Sequence, residues 1–217
     1  MPPSRARPPH TGIVAHYEAC LARHGDTHRG VDWPNAEDAA IRYQVMLDVV
    51  REPPGTPLSL LDFGCGAAHL LDRIQAQGLT HLEYIGLDVS DAFIALCRTK
   101  HPQARFLRHD ILAGTDTLPT VDYAVLNGVF TERIDLSQRA MTAYMTAVLK
   151  VLWPLVRRGM AFNVMSAHVD WQRDDLFHLR FDTLAALLTR LFGRHFVLRN
   201  DYGLYEYTAY VYRTPSR

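Results

Sequence analysis

Apolar positions in this chain follow two periods, and the switches between them mark out its elements. Short apolar runs of strand length stand at 58–63, 83–87, 104–108, 121–127 and 160–165. Between them the period lengthens to that of a helix. Ala92, Phe93, Ala95 and Leu96 form an apolar face behind Ser90, a residue suited to capping. Ala140, Tyr144, Val148 and Leu152 recur every fourth residue and predict a core-facing stripe on a helix over 137–155. Leu184, Leu187, Leu188 and Leu191 share one face of a helix over 181–193. Pro154 predicts a kink in the last turn of the longer helix, and Gly159 a stop before the strand at Met160. Strands alternating with helices predict an α/β fold whose mostly parallel sheet is covered on both faces. The end of the chain differs. His195–Asp201 and Tyr205–Arg213 are strand-like runs joined by a short turn, which predicts an antiparallel hairpin.

The stretch before Leu58 reads as a separate layer. Residues 1–10 are basic and proline-rich with no apolar segment behind them, and are expected to be a disordered lead rather than a signal peptide. Asn35-Ala-Glu-Asp carries a helix-capping signature, and Ile41, Val45 and Val49 supply the apolar stripe that follows. Tyr17 falls on a shorter helix upstream. The connection from His24 to Trp33 packs glycine, aromatic and ionisable residues together, a composition that suits a lid. The organisation expected is a lead over 1–10, a helical cap over 11–54 and a core domain over 55–217.

The segment from Leu58 to Leu70, Leu-Ser-Leu-Leu-Asp-Phe-Gly-Cys-Gly-Ala-Ala-His-Leu, carries the chemistry. A strand breaks into a loop holding Gly64 and Gly66, and a helical pattern begins at Ala67. Glycines let a ligand approach the backbone without meeting a Cβ, and a helix start offers free N–H groups. Such a device cradles a nucleotide. The dinucleotide fingerprint asks for glycine at the first, third and sixth loop positions, but the sixth here is His69. An acidic residue followed by glycine at alternate positions fits better: Asp62, Gly64 and Gly66, with Ala68 in the last place. Asp88 ends the second strand, where a carboxylate can accept from both ribose hydroxyls. Asp110 follows the third strand, and Asn127-Gly128-Val129-Phe130 the fourth.

Taken together these positions resemble the class I S-adenosylmethionine-dependent methyltransferases over roughly 55–213. The resemblance implies a Rossmann-like seven-stranded sheet whose last strand inserts antiparallel beside the fifth. It implies S-adenosyl-L-methionine as cofactor and S-adenosylhomocysteine as product. By the same resemblance, Asp62, Gly64, Cys65 and Gly66 form the donor loop, with Cys65 packed behind it. Asp88 and Val89 would hold the ribose, Asp110 and Ile111 the adenine, and Asn127, Gly128 and Val129 the methionine end. Arg42, on the cap, would face the methionine carboxylate.

Methyl transfer from a sulfonium is an in-line displacement, so the protein must align nucleophile and methyl, manage a proton and exclude water. His168, after the fifth strand, is the candidate general base, although it and Asp170 can equally hydrogen-bond within a polar loop. Tyr17, His24, Trp33, Phe130, Asp170 and Tyr205 are candidates for an acceptor pocket. His168, Asp170, His178 and Asp110 could be assembled around a metal. Eleven histidines make chance pairs common, however, and no Cys-x-x-Cys spacing occurs, so no metal is expected.

Charge narrows the acceptor. Lysine plus arginine equals aspartate plus glutamate, 23 each, so no basic field points to nucleic acid. Asn127-Gly128-Val129-Phe130 lacks the prolines of DNA amino-methyltransferases, and Glu132 stands without the paired glutamate of protein arginine methyltransferases. The expectation is an O or N atom of a small-molecule acceptor. Cys20, Cys65 and Cys97 suit a reducing cytoplasm, and no apolar run reaches membrane-spanning length. A nucleoside-binding scaffold is the alternative, weakened by the intact Asp62, Gly64, Gly66 and Asp88.

Overall fold

Five apolar runs become the parallel strands β1 Leu58–Phe63, β2 Leu82–Asp88, β3 Arg105–Arg108, β4 Val121–Leu126 and β5 Val156–Ser166. The computed structural model describes residues 8–216. The terminal hairpin is β7 Phe196–Arg199 and β8 Glu206–Tyr212, and β8 pairs antiparallel with β5. The strands run in the order β3-β2-β1-β4-β5-β8-β7. An eighth strand joins the expected seven, because the chain after β5 folds back and sets β6, His178–Leu179, against Met165 and Ser166.

Helices cover both faces. α2 Ala36–Leu47, α3 His69–Ala76 and α4 Asp91–Lys100 pack Val45, Leu70 and Ile94 against Leu58, Leu60, Tyr84 and Val125. α1 Thr11–His24, α5 Gln138–Leu152 and α6 Phe181–Phe192 pack Ile13, Met145 and Leu188 against Leu61, Phe63, Leu126 and Phe162. The two-residue period of β1 sorts Leu58, Leu60 and Asp62 to one face and Leu61 and Phe63 to the other. Asn35, Ser90 and Ser137 cap α2, α4 and α5 by accepting from backbone N–H groups.

Several expectations shift. On α5 the buried positions are Met141, Met145, Val148, Leu149 and Leu152, so Ala140 and Tyr144 sit at the edge of the stripe. Ile41 is exposed, because α2 turns Arg42 inward along with Val45. Pro154 produces no kinked α-turn; α5 ends at Leu152 and Trp153–Leu155 forms a 3-10 turn. Gly159 stops nothing, since β5 has already begun at Val156. A Cβ at Gly159 would lie 2.8 Å from Cδ1 of Tyr212 and 3.0 Å from the Val211 carbonyl oxygen, so the glycine serves close strand pairing. Of the lead, residues 1–7 lie outside the described residues; Pro8–His10 are described, and His10 is buried.

Gly159→Ala should therefore push β5 and β8 apart. We expect a loss of about 1–3 kcal/mol in equilibrium urea unfolding, and an unchanged midpoint would contradict the crowding at this pair.

Candidate active site

The sheet order reverses between β1 and β4, and the loops leaving β1, β2, β3 and β4 meet there. Ligands bind at such switch points in open α/β sheets. A cavity lies there, with about 1030 Å³ of empty space counted out to its mouth.

Its floor is the loop after β1. Gly64 (φ +69°), Gly66 (φ +51°) and Ala68 (φ +57°) are all left-handed. A Cβ at Gly64 would stand 2.7 Å from Cγ2 of Val129, and one at Gly66 3.1 Å from Cγ1 of Val31. Ala68 takes the same conformation with its Cβ in place, at a cost of about 1–2 kcal/mol, and α3 starts only at His69. Three of the loop's N–H groups are spoken for. Those of Gly64 and Cys65 donate to the Leu87 carbonyl at 2.7 and 3.0 Å. That of Gly66 donates to Oδ2 of Asp88 at 3.0 Å. A pyrophosphate would find these donors committed and two carboxylates, Asp62 and Asp88, lining its place. The loop suits an uncharged ribose whose hydroxyls can donate.

The carboxylates are tuned by burial. Burial pushes Asp62 up to about 7, aided by the Asp88 charge and opposed by Tyr84, whose hydroxyl donates at 2.7 Å. Burial also raises Asp88, against backbone N–H groups of Ser90, Gly66 and Val89 that stabilise its charge. Asp110 accepts from the Leu112 N–H at 3.0 Å through one oxygen, and His10 Nε2 stands 3.5 Å from the other. Val89, Ile111, Asn127, Gly128 and Val129 complete the wall, and Cys65 is buried with its sulfur against the Gly86 position.

The cap closes the other side. Tyr17 Oη donates to the Gly128 carbonyl at 3.3 Å, and the Trp33 ring would stand 2.9 Å from a Cβ at Gly128. Glu18 accepts from Ser90 Oγ at 2.6 Å. Asp26 pairs with His69 Nε2 at 2.7 Å and Lys100 Nζ at 3.1 Å. Tyr43 and Tyr144 also line the cavity.

Other expected site residues lie elsewhere. Arg42 is behind Trp33, its guanidinium carbon 4.2 Å from the ring centroid, and its Nε donates to Glu206 at 2.7 Å. The buried Glu206 claims it, although Nη1 of Arg42 keeps no partner among the described residues. Phe130 is core, fully buried edge-to-face against Phe162 and Tyr144. His24 ends α1 in solvent. His168 is exposed and stacks on Phe181 at 4.8 Å, Asp170 is exposed in the same loop, and Tyr205 packs on Trp171 at 4.9 Å. Asp110 in the cavity is thus separated from His178, whose Nδ1 meets the Ser166 carbonyl at 2.8 Å. His10, Asn163 and Glu206 are missing from the expected site, and the sequence places Tyr144 only in a core stripe. Only Asn163 and Glu206 carried a signal there, as polar residues inside strand-like runs.

A methyltransferase-domain family profile matches residues 61–159. The Mycobacterium tuberculosis protein named "Putative methyltransferase Rv1506c" is 32% identical over 163 residues, covering 71% of this chain and 93% of the relative. The chain belongs to the class I S-adenosylmethionine-dependent methyltransferases. Solved methyltransferases share its fold. Magnesium protoporphyrin IX methyltransferase from Synechocystis, solved with bound S-adenosylhomocysteine, has a TM-score of 0.63 at 15% identity over 94% of this chain and 99% of that one. The Burkholderia thailandensis 1,6-didemethyltoxoflavin-N1-methyltransferase gives 0.59 at 18% identity, with 96% and 92% covered. The small RNA methyltransferase HEN1 also gives 0.59 at 18%, covering 82% of this chain and 25% of that one. S-adenosylmethionine is the cofactor of this methyltransferase, whose cavity is lined by two carboxylates, Asp62 and Asp88, and by glycines where a Cβ would intrude.

The buried Asp62 makes a pH prediction. A carboxyl raised from 3.8 to about 7 on folding binds its proton more tightly in the folded chain. Its stabilising contribution is complete below about pH 4 and is lost as pH climbs through about 7. Relative to Asp62→Asn, the native chain should lose about 1.4 kcal/mol per pH unit across that window and nothing further above it. Urea unfolding of both chains at a series of pH values measures this; parallel curves would refute it.

Proposed function

We propose that this methyltransferase acts on an oxygen or nitrogen atom of a small-molecule acceptor. The observation that carries the proposal is the roof over the β4 end of the cavity. Tyr17 and Trp33 lie directly over Gly128, and α1 and the 3-10 turn His28–Val31 close the space around them. A pocket roofed by aromatic rings suits a compact acceptor better than a polymer strand. The balance of 23 basic and 23 acidic residues supplies no field to collect nucleic acid. Among the described residues no helix is long and apolar enough to cross a membrane.

The donor supplies an electrophilic methyl group with its leaving group built in. In this reading Asp88 accepts from the ribose hydroxyls, and Asp110 accepts from the adenine amino group beside Ile111. Asn127, Gly128 and Val129 line the methionine end. Tyr17 and Trp33 hold the acceptor against that end and keep water out, which is where positioning lowers the barrier to displacement. His168, outside the cavity, has no part in the chemistry.

Calorimetry with S-adenosylhomocysteine tests the donor half. Asp88→Ala should bind at least about tenfold more weakly, or 1.4 kcal/mol. Equal affinity would remove Asp88 from the ribose. For the acceptor, methyl-labelled donor is incubated with cell extract divided into small-molecule, RNA and protein fractions. Label dependent on Asp88 should enter the small-molecule fraction; label in RNA or protein would overturn the acceptor class.

A further inference from the structure

Beside the cavity, where α1 meets the turn that follows it, three side chains of different ligand type converge. His16 and Cys20 are one helical turn apart on α1, and Asp32 ends the 3-10 turn. His16 Nε2 stands 2.7 Å from Oδ2 of Asp32 and 3.8 Å from Sγ of Cys20, and all three ligand atoms lie within 4.8 Å of one another. A nucleophilic Cys–His–Asp relay would engage the two ring nitrogens in series. Here one nitrogen faces both partners, so the donors surround a common point rather than forming a chain. Asp32 is held at φ +60°, a left-handed conformation that aspartate tolerates better than most residues.

Charges of both signs surround the cluster, with Arg23 acting on the Cys20 thiol. Glu132 is buried nearby, and burial followed by the charges of Asp32 and Asp175 pushes its carboxyl up to about 7. Arg173, which opposes this, is paired with Asp175.

We propose that His16, Cys20 and Asp32 form a three-ligand site for a thiophilic divalent ion of the zinc class, clipping α1 to the turn over the active site. Imidazole, thiolate and carboxylate are the donor set zinc accepts, at about 2.0–2.1, 2.3 and 2.0–2.2 Å. Tetrahedral placement at those lengths puts N and O about 3.3 Å apart and N and S about 3.6 Å apart. The observed 2.7 Å pair must open by about 0.6 Å and the 3.8 Å pair close by about 0.2 Å, while Sγ and Oδ2, within 4.8 Å of each other, come to about 3.6 Å. On binding, the Cys20 thiol gives its proton to solvent and the thiolate enters the coordination sphere. The half-exposed side of the cluster leaves the fourth position to water. Ile13, Val14 and Tyr17 on α1 line the cavity, so the clip acts on the wall of the donor site.

The test is zinc titration of the full-length chain against a chromophoric chelator, repeated on Cys20→Ser and Asp32→Asn, with circular dichroism confirming that each variant folds. Asn keeps the left-handed tolerance at position 32. Cobalt substitution reports the thiolate directly through its sulfur-to-metal absorption. One zinc per native chain is expected, weakened in each variant by more than the roughly 10–100-fold that outer-shell changes cost. A cobalt thiolate band present in the native chain should vanish in Cys20→Ser. Native affinity no better than that of Cys20→Ser, or a native cobalt spectrum without the thiolate band, would overturn the site. None of these readouts depends on methyl transfer.

Discussion

The charge of Glu206, buried on β8, organises the region behind the active site. It accepts from Arg42 Nε at 2.7 Å across 164 positions of sequence, and from Asn163 Nδ2 at 2.7 Å. Asn163 in turn accepts from the Gly128 N–H at 2.8 Å and reaches Asn127 Oδ1 at 3.2 Å. One network thus ties α2, β5, β8 and the loop after β4. Removing either member of a buried ion pair leaves a charge without compensation, a loss of about 3–5 kcal/mol. Arg42 also stacks on Trp33, so the same guanidinium that neutralises Glu206 sets the ring that roofs Gly128. The antiparallel insertion of β8 beside β5 brings Glu206 to that place, opposite Met165.

The identity of the donor follows from where backbone donors point. A glycine loop before a helix is by default an anion site, because its N–H groups are free. Here Leu87 and Asp88 take those of Gly64, Cys65 and Gly66. Two acidic side chains then stand where a phosphate would be repelled. Their own repulsion, together with burial, keeps Asp62 poised near neutrality, with Tyr84 donating to it from the neighbouring strand.

Polar contacts add to the apolar packing of Ile13 and Tyr17 in closing the cavity. Glu18, Asp26 and Tyr17 reach the starts of α3 and α4, the end of α4 and the Gly128 carbonyl. Partly exposed pairs of this sort contribute about 0–1 kcal/mol each.

The sequence by itself determined the strand–loop–helix units and the chemistry at their ends. Local patterns suffice there: β1 falls at Leu58–Phe63 as read, and Asp62, Gly64, Gly66, Asp88, Asp110 and Gly128 all reach one cavity because parallel strands deliver their carboxyl ends to one side. Even the imperfect place in the motif was legible, since Ala68 adopts the left-handed backbone a glycine would take. What only the tertiary structure decided is whatever depends on partners distant in sequence. Arg42 could be read as a basic residue on a cap, but not as the counter-charge of Glu206. Phe130 follows the cofactor loop in sequence, yet the turn at Gly128 sends it into the core. His168 sits after the right strand, yet the fold-back that makes β6 carries its loop away. Periodicity reports which face a residue occupies; which neighbour it meets there is set by packing.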